Sequence, residues 1–199
     1  MVYLFIYRLT HDTGFAPCVD NGLLSLACCK GGQIRNGRAV KTGLRYEIGS
    51  KHSGIDYDKD KVYVLGVYRG KFLYLARITE VITMTDYYIS RSDGRLDDIY
   101  SFIDGNLVRN HNLRNENVHT DKDDRIRDVA GEYVLLSEDF IYLGKDAAYV
   151  EIVKEYAPPS RGRKIYDGTT AEKIIAECLK YKDDKIHIPN TPIRKRSCS

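Results

Sequence analysis

His11, Asp12 and Thr13 put an imidazole, a carboxylate and a hydroxyl side by side, in a stretch closed by Gly14, Phe15, Ala16 and Pro17. An imidazole can move a proton, a carboxylate can orient it, and an aromatic ring can stack on a base. The stretch follows the apolar run Val2 to Leu9, and sheets tend to hold ligands where strands end. It is therefore the leading candidate site. His11, Asp12, Thr13, Gly14 and Phe15 are its ligand-binding residues, with His11 and Asp12 as acid and base if there is chemistry. The competing reading is local: Asp12 and Thr13 satisfy turn N–H groups while Phe15 fills the core.

Cys28 and Cys29 are the candidate nucleophiles, since a thiolate attacks electrophilic carbon. Lys30 and Arg35 favour the anion, and His11 could serve as its base. On a strand, neighbours point to opposite faces, so at most one of the two cysteines can face a pocket. Lys30, Arg35 and Arg38 also surround Gly31-Gly32; flexible backbone beside cations suits a phosphate, although the P-loop spacing is missing. Arg77 could add a cation to the rim, or simply belong to the wet face of a half-exposed sheet. His111, His119, Asp121, Asp123 and Asp124 could supply an acid, a base or a cation site, yet charge runs of this kind are usually solvated loop. A metal set from His11, Cys28, Cys29 and His119 has no C-x-x-C or H-x-x-x-H spacing, so neither a metal nor another cofactor is expected.

These residues need a scaffold. At 199 residues, 43% hydrophobic and 30% charged, the chain is built like an ordinary globular protein. Its net charge of +3 is too small for a broad grip on a long duplex, so any nucleic-acid contact is expected to be local. The apolar N-terminus is too short to span a membrane and lacks a signal peptide's basic start and cleavage site. Five cysteines, an odd number, do not make a secreted disulfide framework, which points to a reducing cytoplasm.

Val2–Leu9, apolar at both parities, reads as a central strand covered on both faces. Leu23 to Cys29 is a short buried strand or helix, and Tyr46 to Ser50 a further strand. Val62–Tyr68 and Phe72–Ile82 flank Arg69-Gly70-Lys71 as a β-hairpin, with Phe72, Tyr74, Ala76 and Ile78 on one face. Thr85-Asp86-Tyr87-Tyr88 opens a short helix. Ser90 to Asp128 is polar and reads as a long, weakly structured, mobile insertion. Tyr133–Ser137 and Phe140–Gly144 return to strand composition. Thr169-Thr170-Ala171-Glu172 caps a C-terminal helix that reaches about Tyr181, with Ile174, Ile175, Cys178 and Leu179 as its apolar stripe. The tail from Ile193 to Ser199 is basic. The expected class is α+β, with a mixed, largely antiparallel sheet, flanking helices and a C-terminal helix.

Several blocks occur in one order: the loop His11 to Pro17, Leu26-Ala27-Cys28-Cys29-Lys30, Ile34-Arg35, Ile48-Gly49-Ser50, Ala76 to Val81, Asp86-Tyr87-Tyr88, Asp98-Ile99-Tyr100, and Val134 to Gly144. On these the chain resembles the second of the bacterial nucleotide modification associated domain families, over roughly residues 1–150. The segment 151–199 then reads as a C-terminal extension, with one helix and a basic tail, packed on the same domain. The resemblance implies a PUA-like fold, a sheet or partly open barrel of the kind found in EVE and YTH domains, which hold modified bases. The family usually carries Gly-Asp-Trp before the Ile48-Gly49 position, where this chain has Leu44-Arg45-Tyr46-Glu47; Tyr46 could stand in for the missing ring.

Three functional readings follow. One is a module that binds a nucleotide or modified nucleobase through His11, Asp12, Thr13, Gly14, Phe15, Lys30, Arg35 and Arg77. Another is an enzyme acting on a nucleotide or base, with His11 and Asp12 as acid and base and Cys28 or Cys29 as nucleophile. A structural or partner-binding role for the tyrosine-rich surface is a third. The expected partner is a nucleotide or modified nucleic acid in local contact, with no membrane.

Overall fold

In a computed structural model, residues 1–51, 54–110, 119 and 121–182 are described. The chain opens with β1 (Val2–Leu9), β2 (Cys18–Asp20), β3 (Leu23–Leu26), β4 (Gln33–Arg35), β5 (Arg38–Val40) and α1 (Leu44–Gly49). The middle holds β6 (Lys61–Tyr68), β7 (Lys71–Arg77), β8 (Glu80–Thr83), α2 (Met84–Ser90), β9 (Tyr100–Ile103) and β10 (Asn106–Arg109). It closes with α3 (Lys122–Val129), β11 (Tyr133–Ser137), β12 (Asp139–Tyr142), α4 (Glu151–Tyr156), β13 (Arg163–Asp167) and α5 (Gly168–Leu179). The architecture is α+β, mostly antiparallel, with open sheets and no closed barrel among the described residues.

The larger sheet runs β12-β7-β6-β1-β13. β1 lies parallel to β6 and antiparallel to β13, so it is interior to the sheet. Its two parities serve two cores. Phe5, Tyr7 and Leu9 join Leu24, Leu26, Val134, Leu135 and Leu136 of the smaller sheet, β2-β3-β11-β8. Leu4 and Ile6 pack with Val153 of α4 and with Ile174, Ile175 and Cys178 of α5. A strand buried on both faces must be apolar at both parities, which is why β1 does not alternate from Leu4 to Tyr7. The segment after residue 150 thus supplies an edge strand and two helices to this second core.

Four expectations need correcting. Tyr46 to Ser50 is not a strand but part of α1, because Arg45 on that helix is fully buried and ties it to the site described below. The β6–β7 turn is only Arg69-Gly70, both at positive φ, as a two-residue hairpin requires. Phe72 leaves the face of Tyr74 and Ala76 and enters the other core, because the register shifts at Gly66/Val67, where Val67 pairs with Phe72 and Gly66 with Tyr74. Leu73 is the extra residue of that bulge, and an extra residue reverses the alternation. Finally, the strand read as running to Ile82 breaks at Ile78-Thr79: the Ile78 N–H donates to Val62 and the Thr79 N–H to Leu136, so the chain changes sheets there.

Helix starts shift slightly. Thr83, not Thr85, caps α2, accepting from the Asp86 N–H, and Asp167 sits at the N-cap of α5. Leu179 is 42% exposed and falls off the buried stripe of α5. The stretch 90–128 is more structured than expected, carrying the β9–β10 hairpin and α3. His111, the basic tail from Ile193 and Cys198 lie outside the described residues.

Candidate thiol site

β3 ends at Leu26, so Cys28 and Cys29 lie beyond the strand. Cys29 has φ 58 and Lys30 φ 51, a left-handed turn that L residues adopt only under tertiary constraint. The alternation expected of a strand therefore does not apply: both cysteine sulfurs and a nitrogen of His119 lie within 4.8 Å of one another.

Four hydrogen bonds enforce the turn. The Cys29 N–H donates to Asp128 Oδ1 at 2.6 Å, and Arg45 Nε donates to the Cys29 carbonyl at 2.7 Å. The other guanidinium nitrogens of Arg45 donate to the carbonyls of Tyr133 and Asp128, each at 2.5 Å. One buried side chain thus locks the backbone of Cys29 to that of Asp128 across almost a hundred positions of sequence. Glycines make room for it. A Cβ on Gly31 would stand 2.6 Å from Arg45 Nη2, and one on Gly131 would stand 2.5 Å from Arg45 Cζ, closer than packed atoms allow.

The side chains on this frame form a chain. Cys29 Sγ lies 3.3 Å from His119 Nε2, and His119 Nδ1 lies 2.5 Å from Asp128 Oδ2. Tyr100 donates its hydroxyl to the same carboxylate oxygen at 2.9 Å. Cys29 is half-buried, while His119 and Asp128 are 6% and 1% exposed. Burial opposes a charged His119, but its hydrogen bonds to Asp128 and Cys29 outweigh burial and raise it to about 10. At neutral pH the imidazole is therefore a cation between the Asp128 carboxylate and the Cys29 sulfur. Cys28 is buried and donates to the Phe15 carbonyl at 3.4 Å. Its hydrogen bond to Cys29, then burial, hold its thiol well above the ordinary range.

The His11–Pro17 loop abuts this site through Phe15. The Phe15 ring is 5% exposed and belongs to the main core. Asp12, 1% exposed, accepts from the Tyr142 hydroxyl at 2.9 Å, and Thr13 and Gly14 are buried. His11 is half-buried, and among the described residues no hydrogen bond joins it to either cysteine; the imidazole beside the thiol is that of His119. Lys30 lies over the Tyr7 ring, 5.2 Å from its centre, and the Tyr7 hydroxyl is 2.5 Å from that of Tyr74. Arg35 is on the exposed β4–β5 hairpin with Gln33, and Arg77 is paired with Asp139 at 2.9 Å. The structure thus brings Cys28, Cys29, Lys30 and the His11–Phe15 loop together, and leaves Arg35 and Arg77 engaged elsewhere. Asp121, Asp123 and Asp124 start α3, where Asp121 caps the Asp123 N–H.

Asp128 was not singled out in the sequence, Arg45 and Tyr100 were named only in comparing the chain with the family, and His119 was one of several loop residues read as a possible acid, base or cation ligand. No spacing marks them, because the partners meet through the fold.

A half-buried thiol on a left-handed turn, an imidazole and a buried carboxylate thus stand in line, in the order that thiol nucleophiles use where they occur. Nucleotide modification associated domain 2 matches residues 1–195, and the chain belongs to that family. The protein is nucleotide modification associated, and the match runs through α5. No curated protein and no solved structure matches the chain. No helix among the described residues is long and apolar enough to cross a membrane.

Proposed function

We propose that this protein is a thiol-dependent enzyme acting on a nucleotide or nucleobase, with Cys29 as nucleophile, His119 as the acid and base, and Asp128 orienting the imidazole. The observation that carries the reading is the continuous Sγ–Nε2 and Nδ1–Oδ2 chain, 3.3 Å and 2.5 Å long. Asp128 holds one nitrogen of the ring and turns the other to the thiol. His119 already carries the proton at neutral pH, Cys29 attacks as the thiolate paired with that imidazolium, and the proton then passes from His119 to the leaving group. Membership of the family supports the nucleotide as substrate class. Lys30, next to the nucleophile, supplies a cation for its phosphate. Phe15, the ring first expected to stack on a base, is 5% exposed and belongs to the main core.

The test is alkylation of Cys29 by iodoacetamide, followed by peptide mapping, with and without a panel of normal and modified nucleotides. Cys29 should react faster than a free cysteine at pH 7, and at least one nucleotide should slow it. A Cys29 no faster than a free thiol, no protection by any nucleotide, or stoichiometric zinc closing the thiol would each overturn the reading.

A further inference from the structure

The two thiols are held on the same side of the chain, although neighbouring residues on a strand would point apart. The positive φ of Cys29 turns them together, within the 4.8 Å that encloses both sulfurs and the His119 nitrogen. They differ in access: Cys28 is 0% exposed, whereas Cys29 is half-buried. An accessible thiol beside a cation, with a second thiol shielded behind it, is the arrangement in which oxidation stops at a disulfide.

We propose that Cys28-Cys29 is an oxidation site for hydroperoxides, in which Cys29 is the thiol attacked and Cys28 the thiol that resolves it. The inference rests on Cys29 being the nucleophile of the preceding section but needs no nucleotide. The Cys29 sulfur attacks one peroxide oxygen and the O–O bond breaks. The other oxygen leaves as an alcohol or water, taking the proton held by His119. Cys29 is now a sulfenic acid. The Cys28 sulfur then attacks the Cys29 sulfur, the S–O bond breaks, and hydroxide leaves as water with the Cys28 proton. Two thiols have lost two electrons and the peroxide has gained them. Neighbouring Cα atoms are about 3.8 Å apart, short of the roughly 4.4 Å minimum of ordinary disulfides. The bond is therefore strained and easily reduced, so it blocks the nucleophile reversibly instead of destroying it.

The experiment treats the full chain with hydrogen peroxide, blocks remaining thiols with N-ethylmaleimide under denaturing conditions, and maps the peptides. The wild-type peptide containing Cys28 and Cys29 should lose two hydrogens, resist the maleimide, and recover on adding dithiothreitol. In Cys28→Ala, Cys29 should instead gain two oxygens as a sulfinic acid. Oxygen uptake in place of hydrogen loss in the wild type, or pairing of Cys29 with another cysteine, would overturn the inference whatever the variant does. The two readings separate cleanly. Fast alkylation without the neighbour disulfide sinks this inference alone, and slow alkylation with the disulfide sinks the enzyme reading alone.

Discussion

Asp97 and Asp128 are both buried carboxylates, 0% and 1% exposed, and each accepts from a tyrosine and sits beside a cation. Around Asp97 the cation is Arg95 at 3.4 Å, and the hydroxyls are those of Ser25 at 2.5 Å and Tyr87 at 2.9 Å. Arg95 also donates to the carbonyls of Cys18, Asp20 and Leu23, stitching the β2–β3 hairpin to the segment after α2. Around Asp128 the cation is His119, the hydroxyl is that of Tyr100, and the third donor is the backbone N–H of Cys29. Arg45 is present too, but it serves carbonyls and leaves the carboxylate to the imidazole.

The difference is between a permanent charge and a movable one. A guanidinium keeps its proton at any working pH, so the Asp97 cluster can only hold structure. An imidazole can release its proton, and here it faces a thiol instead of a closed core. Similar residue types, similarly buried, thus give a clamp in one place and, on the function proposed above, a site for chemistry in the other.

The largest effect on stability is expected from Arg95→Leu, which strands a buried carboxylate at the cost of about 3–5 kcal/mol. Burial already holds the Asp97 carboxyl high, against the pull of Arg95 and the hydroxyls. The loss should therefore shrink in acid, where the carboxyl protonates. Urea unfolding at two pH values checks this, and an unchanged midpoint would remove the clamp from the comparison.

Next in size, His119→Gln and Asp128→Asn should slow alkylation of Cys29 at pH 7 by about 10-fold to 30-fold, since an unassisted thiol is only a few per cent ionised there. A folded Arg95→Lys protein should react like wild type. Equal loss in all three would mean that the clusters do not differ in function.

A smaller effect is the pH dependence of stability. The folded pKa of His119, about 10, lies above its ordinary 6.5. Its contribution is therefore complete below about pH 6.5 and lost as pH rises through about 10. The difference in urea midpoint between wild type and His119→Gln should narrow over that window, and a difference constant with pH would contradict the imidazolium. Cys28→Ala should change stability least: removing one small buried thiol costs about 1 kcal/mol, read as a small shift of the urea midpoint.

Much of the fold was legible because it depends on local rules. Apolar side chains at both parities put Val2–Leu9 inside a sheet, and the Arg69-Gly70 turn announced its hairpin. Apolar spacing also marked the inward face of α5 at Ile174, Ile175 and Cys178. What local rules could not supply were α1, where the burial of Arg45 overrides a strand-like segment, and the bulge that sends Phe72 to the other core.

For the candidate site, the residue types alone identified Cys28-Cys29 as the thiol pair, and the resemblance identified the family. Which thiol faces outward, which histidine it meets and which carboxylate orients that histidine were decided only by tertiary structure. Cys29, Arg45, His119 and Asp128 are brought together by long-range hydrogen bonds and by glycines that leave space for one guanidinium, and contacts made that way leave no periodicity or spacing in the chain.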